Sequence, residues 1–159
     1  MQSSKSHSCP TVVYRNTYGD PCQRRVSILS GGGAGHEPSF VGFVGAGMLD
    51  VAVSGTIFAS PSPSQIYSAL SSLDTRAKRR KGASAEGHST LMILMNYTGD
   101  VMNFGLAAEK AQATGLHVDM VIVRDDVGVG RERGGKVGRR GIAGTVLIHK
   151  IAGAMAEEG

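Results

Sequence analysis

Short apolar runs separated by glycine-rich or polar segments recur along the chain, and their length and spacing predict buried strands. The run at 90–95 is continuously apolar, as expected of a strand covered on both faces. The run at 117–123 alternates and predicts another strand. The predicted strands are Val26–Leu29, Asp50–Val53, Thr90–Met95 and His117–Val123.

Apolar residues three or four positions apart predict helices between these strands. The clearest begins at Ser62–Gln65, where a serine cap, a proline at the first helical position and a capping-box glutamine follow one another. A second helix follows Asp100 and is stopped by Gly115, and a last one begins near Gly141. We also expect Pro38–Leu49 to form a helix that packs closely through its glycines.

This alternation of strand, loop and helix predicts the α/β class, with a mostly parallel sheet and helices on both faces. Ligands of such sheets bind beyond the carboxyl ends of the strands. The loops Ser30–Pro38, Asn96–Asp100 and Arg124–Arg140 are therefore the candidate functional segments.

Length and composition fit one soluble, cytoplasmic domain of 159 residues, because no apolar run is long enough to cross a bilayer. The net charge of +4 comes from two basic runs, Arg76–Lys81 and Arg131–Arg140, which we expect to be solvated loops. Nucleic-acid binding through them is a weaker alternative, since neither lies in a known DNA- or RNA-reading motif.

The first 25 residues contain few structural signals, so we expect 1–25 to be a loosely ordered arm and the α/β unit to span 26–159. Arg76–Ser89 is polar and dotted with Gly and Ser, which predicts a long exposed loop. Cys9 and Cys22 form no metal-ligand pattern and are expected to be reduced thiols.

The segment Gly31–Pro38 combines closely spaced glycines with a His-Glu pair. Its open backbone amides suit a small, oxygen-rich ligand, although it is neither a GxxxxGK[ST] phosphate loop nor a GxGxxG motif. His36 can exchange a proton near neutral pH, and Glu37 could bias its tautomer or charge. A tight strand-to-helix turn carrying a surface histidine explains the glycines equally well, but not the pair.

Asp100 follows a buried strand and opens a helix. It is either a helix-start residue favoured by the dipole or a carboxylate that accepts a hydroxyl proton. Asp125 and Asp126 could hold Mg²⁺, but an ordinary turn explains them as well, and we predict no metal site. The other histidines are expected to have structural or surface roles: His7, His88, His117 and His149.

Three ordered motifs resemble the substrate-binding domain of dihydroxyacetone kinase. They are Ser30–Pro38, Asn96–Asp100 with Asn103-Phe104 following, and Gly138–Gly141 with Thr145–Leu147 following. The resemblance runs from about Val12 to the end, and Gly128–Gly135 is more similar to the ATP-dependent eukaryotic form. It implies an α/β domain, a homodimer, and phosphorylation of dihydroxyacetone or glyceraldehyde at a terminal hydroxyl.

By resemblance, Gly33, Ala34, Gly35 and His36 contact the triose. His36 would be the acid/base during covalent attachment of the substrate, and Asp100 would face the hydroxyl that receives phosphate. The family uses ATP and Mg²⁺, which we expect on a separate domain or partner and not on this chain.

The chain departs from the family pattern in two ways. Met95 replaces a lysine that helps to bind the triose, and the chain ends at Gly159, before the family's covalent histidine and ATP-binding domain. We therefore expect a fragment or truncated kinase that is incompetent alone. The alternative is a non-catalytic, triose-binding regulatory or scaffold paralogue.

Overall fold

A five-stranded sheet forms the centre of the computed structural model, which describes residues 11–16, 26–79, 88–133 and 135–159. Its spatial order is β1-β3-β2-β4-β5. Strand β1 pairs antiparallel with β3, whereas β3, β2, β4 and β5 are mutually parallel neighbours. The strands are β1 (Val12–Tyr14), β2 (Val26–Ala34), β3 (Val51–Ile57), β4 (Ser89–Met95) and β5 (His117–Val123). The expected α/β class with a mostly parallel sheet is confirmed.

Three helices cover the sheet: α1 (Pro63–Arg79), α2 (Thr98–Ala113) and α3 (Gly144–Glu158). Helices α1 and α2 enclose one apolar cluster with residues of β2, β3 and β4. On the other face, α3 and the segment after β2 enclose a second cluster around Ile28, Leu49 and Ile93. Because both faces are covered, β4 is apolar almost throughout and lacks the alternation of a half-exposed strand.

The start of α1 follows the predicted capping pattern in part. The backbone N–H of Ser62 donates a hydrogen bond to Oε1 of Gln65 at 2.7 Å. This is the hydrogen bond that the glutamine of a capping box accepts. The Ser62 hydroxyl instead pairs with the Ser64 hydroxyl at 3.0 Å. The predicted helices after Asp100 and near Gly141 are also present, as α2 and α3.

The helix expected over Pro38–Leu49 is wrong, because this segment contains only a 3-10 turn at Val41–Phe43. Glycine is unfavourable inside a helix by about 1 kcal/mol relative to alanine, and the segment contains three. One of them, Gly47, has a φ of +66°, which a right-handed helix cannot contain.

Three boundaries also differ from the expectations. Val12–Tyr14, expected in a loose arm, forms the edge strand β1; the rest of the arm lies outside the described residues, apart from 11 and 15–16. Strand β2 continues through the glycines to Ala34 because backbone pairing with β3 needs no side chains. Helix α1 continues to Arg79, so residues 76–79 of the expected loop are helical instead, and 80–87 lie outside the described residues.

The sheet order places a reversal between β2 and β4. From β2 the chain moves outward to β3 on one side, and then returns to β4 on the other side of β2. Open α/β sheets bind ligands at such a reversal, beyond the carboxyl ends of the two strands. The segments that follow β2 and β4 therefore meet where a ligand site is expected.

None of the helices in the described part of the chain combines the length and apolar character required to span a bilayer.

Candidate functional site

Asp100 lies in the first turn of α2, five residues after the end of β4, and is only 9% exposed. Burial raises the pKa of its carboxyl group, while a hydrogen bond from the Ser60 hydroxyl and the nearby His36 lower the pKa in part. Its buried Oδ1 makes no hydrogen bond with the described residues. One oxygen of this carboxyl group thus retains unused acceptor capacity.

His36 lies at the same edge of the sheet, two residues after β2, and is exposed. Its ring meets the Phe40 ring edge-on, with centroids 6.2 Å apart. Phe40 in turn lies over Gly32, where a Cβ atom would be 3.0 Å from the Phe40 ring and 3.7 Å from Oδ2 of Asp100. The structure therefore brings His36 and Asp100 to the same edge of the sheet, near Gly32 and Phe40.

The remaining predicted contact residues, Gly33, Ala34 and Gly35, complete β2 and the turn that leads to His36. Gly35 has a φ of +103°, and its N–H donates to Oε1 of Glu37 at 3.0 Å. That hydrogen bond is the main reason why the pKa of Glu37 is lowered, and the charge of His36 contributes least. Glu37 therefore mainly holds the backbone of the turn and affects His36 little.

Ser60 is a site residue that the sequence analysis did not identify. Its hydroxyl hydrogen-bonds to the Asp100 carboxylate. The serine lies in the loop between β3 and α1, and Nδ2 of Asn103 holds this loop by donating to the Pro61 carbonyl at 2.9 Å. The signal in the sequence is the position of Ser60 just before the helix-start motif Ser62–Gln65, in the loop that follows a strand.

Glycines let the Ser60 loop lie directly on the backbone of its neighbours. A Cβ atom at Gly55 would be 2.1 Å from the Ala59 carbonyl oxygen, and one at Gly99 would be 2.8 Å from the Ser60 hydroxyl. Larger residues at these two positions would push Ser60 away from Asp100. The close approach at Gly99 also explains why a glycine immediately precedes the buried aspartate.

Substitution of Ser60 by alanine is expected to raise the pKa of Asp100 further. The hydroxyl hydrogen bond stabilises the charged carboxylate, and its removal favours the protonated form, so Asp100 would become charged only at higher pH. Carbon NMR of the Asp100 carboxyl group measures the shift. Ser64→Ala, which removes an exposed hydroxyl from α1, is the control. An unchanged or lower midpoint in Ser60→Ala contradicts the assigned hydrogen bond.

Both aspartates that were considered for Mg²⁺ accept hydrogen bonds from backbone N–H groups. The Asp125 carboxylate accepts from the N–H groups of Ile142 at 2.6 Å and Gly144 at 2.7 Å, at the start of α3. Oδ1 of Asp126 accepts from Gly128 at 3.1 Å. No group of three or more His, Cys, Asp or Glu side chains suited to a metal occurs in 11–16, 26–79, 88–133 and 135–159. In the structure, these two aspartates therefore hold the backbone of their own loop and of the start of α3.

The other described histidines have different surroundings from His36. His117 is exposed at the start of β5, and Nε2 of His88 lies 3.3 Å from the Ser27 hydroxyl. His149 is fully buried in α3 between Phe40 and Phe43. Its structural position was expected, but neither of its ring nitrogens has a hydrogen-bond partner in the described chain. His7, Cys9 and Cys22 lie outside the described residues.

Together, the sheet reversal and the proximity of His36 to the buried Asp100 define a doubly wound α/β domain with a candidate polar site at the carboxyl ends of β2 and β4. The chain belongs to the Dak1 domain family, whose model matches residues 2–159. It is 54% identical to dihydroxyacetone kinase 2 of Saccharomyces cerevisiae over 135 residues. The matched region covers 85% of this chain and 21% of the relative.

Solved structures agree with this assignment. The dihydroxyacetone kinase of C. freundii, in complex with AMP-PNP and Mg²⁺, matches with a TM-score of 0.76 and 45% identity, over 94% of this chain and 25% of that one. A dihydroxyacetone kinase operon co-activator, Dha-DhaQ, matches with a TM-score of 0.74 and 35% identity, over 93% of this chain and 41% of that one. The chain spans about a fifth of the length of the first yeast relatives.

Proposed function

We propose that this chain is the triose-binding part of a dihydroxyacetone or glyceraldehyde kinase, which phosphorylates a terminal hydroxyl of the triose in the cytoplasm. The observation that carries the proposal is the buried Asp100 carboxylate beside His36, at the sheet reversal of a Dak1 domain.

In this proposal the residues near Asp100 have different roles. The backbone of Gly33–Gly35 and the His36 imidazole bind the triose oxygens, and the Asp100 carboxylate accepts a hydrogen bond from the terminal hydroxyl. As the oxygen attacks phosphorus, its proton passes to this carboxylate and the bond from phosphorus to the leaving group breaks. Phosphoryl transfer depends mainly on such positioning and on charge stabilisation.

ATP and Mg²⁺ would be held elsewhere, on an ATP-binding domain joined to this chain or supplied by a partner, and would provide the phosphoryl group and neutralise its charge. We further propose that the triose-binding parts form a homodimer. The 159-residue chain alone is then expected to bind triose without catalysing the complete reaction.

A chimaera tests this function. The chain replaces the matching segment of the S. cerevisiae relative, which is 54% identical and contributes the remaining four-fifths of the polypeptide. We expect ATP-dependent phosphorylation of dihydroxyacetone by the chimaera and none by the isolated chain in a coupled assay. A folded chimaera without activity contradicts the proposed function, and activity of the isolated chain contradicts its dependence on other domains.

A second candidate function is a non-catalytic, triose-binding regulator. Two observations favour it: the structural likeness to the co-activator Dha-DhaQ, and Met95, which packs against the apolar cluster and cannot donate a hydrogen bond. Calorimetry of dihydroxyacetone binding to the isolated chain, with mass spectrometry for a covalent adduct, distinguishes the functions when combined with the chimaera. Tight binding without an adduct, together with an inactive chimaera, supports the regulator.

A further inference from the structure

The end of the basic run 131–140 is held against the start of α2, and is not the solvated loop that the sequence predicted. Asn96, which is 4% exposed, follows β4 and donates from Nδ2 to the carbonyls of Val137 at 2.8 Å and Arg139 at 2.6 Å. Nε of Arg139 donates to the Val129 carbonyl at 2.7 Å. These hydrogen bonds fix the backbone of the loop on the carboxyl edge of the sheet.

Arg140 is half-buried in this loop. Its guanidinium group is held by contacts that carry no negative charge. Nη1 lies 3.5 Å from the Asn96 carbonyl, and Cζ lies 5.5 Å from the centre of the Tyr97 ring. No carboxylate among the described residues lies within salt-bridge distance of it. Most of its five N–H donors therefore have no partner within this part of the chain.

Arg140 contacts the segment that joins β4 to α2, the helix that contains Asp100. Tyr97 immediately precedes α2, and its carbonyl accepts the first hydrogen bond of that helix, from Val101. Asp100 belongs to the same helical turn. A phosphate group carries nearly two negative charges at neutral pH and would be repelled by the Asp100 carboxylate unless a cation offsets that repulsion.

We propose that Arg140 binds phosphate oxygens at the mouth of the triose site, an inference that rests on the proposed function. The planar guanidinium can engage two phosphate oxygens at once, which suits it to a phosphoryl group near the terminal hydroxyl of the triose. The phosphate would belong either to the phosphorylated triose or to the polyphosphate tail of the donor. Arg140 thus recognises phosphate chemistry, and the triose itself is recognised without it.

Calorimetry on the 159-residue chain tests the proposal with three ligands: dihydroxyacetone, dihydroxyacetone phosphate and tripolyphosphate. We expect Arg140→Gln to weaken binding of at least one phosphate-bearing ligand by about tenfold or more, and binding of dihydroxyacetone by less than about twofold. Arg140→Lys should keep part of the affinity. A loss with dihydroxyacetone phosphate alone assigns the site to the triose phosphate, and a loss with tripolyphosphate alone assigns it to the donor.

Arg76→Gln is the matched control. Arg76 also lies over a tyrosine ring, with Cζ 4.1 Å from the centre of Tyr14, but Tyr14 pairs with the first residue of β3, at the opposite edge of the sheet. The inference is overturned if Arg140→Gln binds both phosphate ligands as wild type does, if it loses dihydroxyacetone in equal proportion, or if Arg76→Gln loses as much. If the wild-type chain binds tripolyphosphate through Arg140 but does not bind dihydroxyacetone, the result contradicts the proposed function. It still supports an anion site at Arg140.

Discussion

Replacing Asp100 by asparagine in the kinase chimaera is expected to lower kcat for dihydroxyacetone phosphorylation by about 10²–10⁴-fold. Asparagine keeps the size of the side chain but cannot take the proton of the attacking hydroxyl. Steady-state assays of the chimaera measure the effect. Asp119→Asn, an identical change at an exposed position of β5, is the control and should leave kcat unchanged.

The same substitution should leave the fold intact or make it more stable. Because burial raises the pKa of Asp100, the folded state favours the protonated carboxyl group, and ionisation as the pH rises reduces the stability of the domain. Asparagine removes that penalty at neutral pH. Full activity of a folded Asp100→Asn chimaera would falsify the role proposed for Asp100, and loss of activity through unfolding would appear as a lower Tm.

His149 is expected to make the domain sensitive to acid. Burial lowers the pKa of its imidazole from the ordinary 6.5 to about 4, and the nearby Ile93 carbonyl offsets part of this effect. As the pH falls from about 6.5 to about 4, the unfolded chain gains a proton at this position and the folded chain does not. The free energy of unfolding should therefore fall by about 3 kcal/mol across this range on account of His149 alone.

Urea unfolding of wild type and His149→Leu at pH 7, 5.5 and 4 isolates this contribution from other titrating groups. We expect the leucine variant to lose less stability on acidification, with the difference confined to the range below about pH 6.5. At pH 7 it should be at least as stable, because a poorly hydrogen-bonded imidazole in the core is replaced by an apolar side chain. His117→Gln, at an exposed position, should follow wild type. Equal acid losses in wild type and His149→Leu would show that the imidazole is not held neutral.

The correct predictions of secondary structure relied on local sequence patterns. The apolar run at 90–95 and the alternation at 117–123 favour strands by their length and pattern, and the Ser-Pro-Ser-Gln sequence marks the first turn of α1 in a way that needs no tertiary contact. Pro38–Leu49 is different, since its apolar residues have helical spacing but pack as irregular chain around a 3-10 turn. Their burial against the sheet outweighed a helix already weakened by glycine.

The residues of the candidate site were likewise predictable only in part. His36 and Asp100 stand out because of their residue types and because each follows a strand, so the sequence was enough to nominate them. Ser60 was missed, and Arg140 was not singled out within its candidate loop, because their contacts are with residues 40 or more positions away. A serine just before a helix-start motif and an arginine in a basic run have ordinary local explanations, which only the fold overrides.

The order of apolar runs, caps and glycines by itself determined the α/β class, most strands and helices, and the two motifs that the proposed chemistry needs. These properties depend on neighbours a few residues apart, whose hydrogen bonds and side-chain periodicity are local. Only the tertiary structure decided that β2 and β4 lie side by side, that the Ser60 loop contacts Asp100, and that Arg140 lies over Tyr97. Those contacts depend on which strands pair and how closely backbones approach, and burial of both faces of the sheet sets these for the chain as a whole.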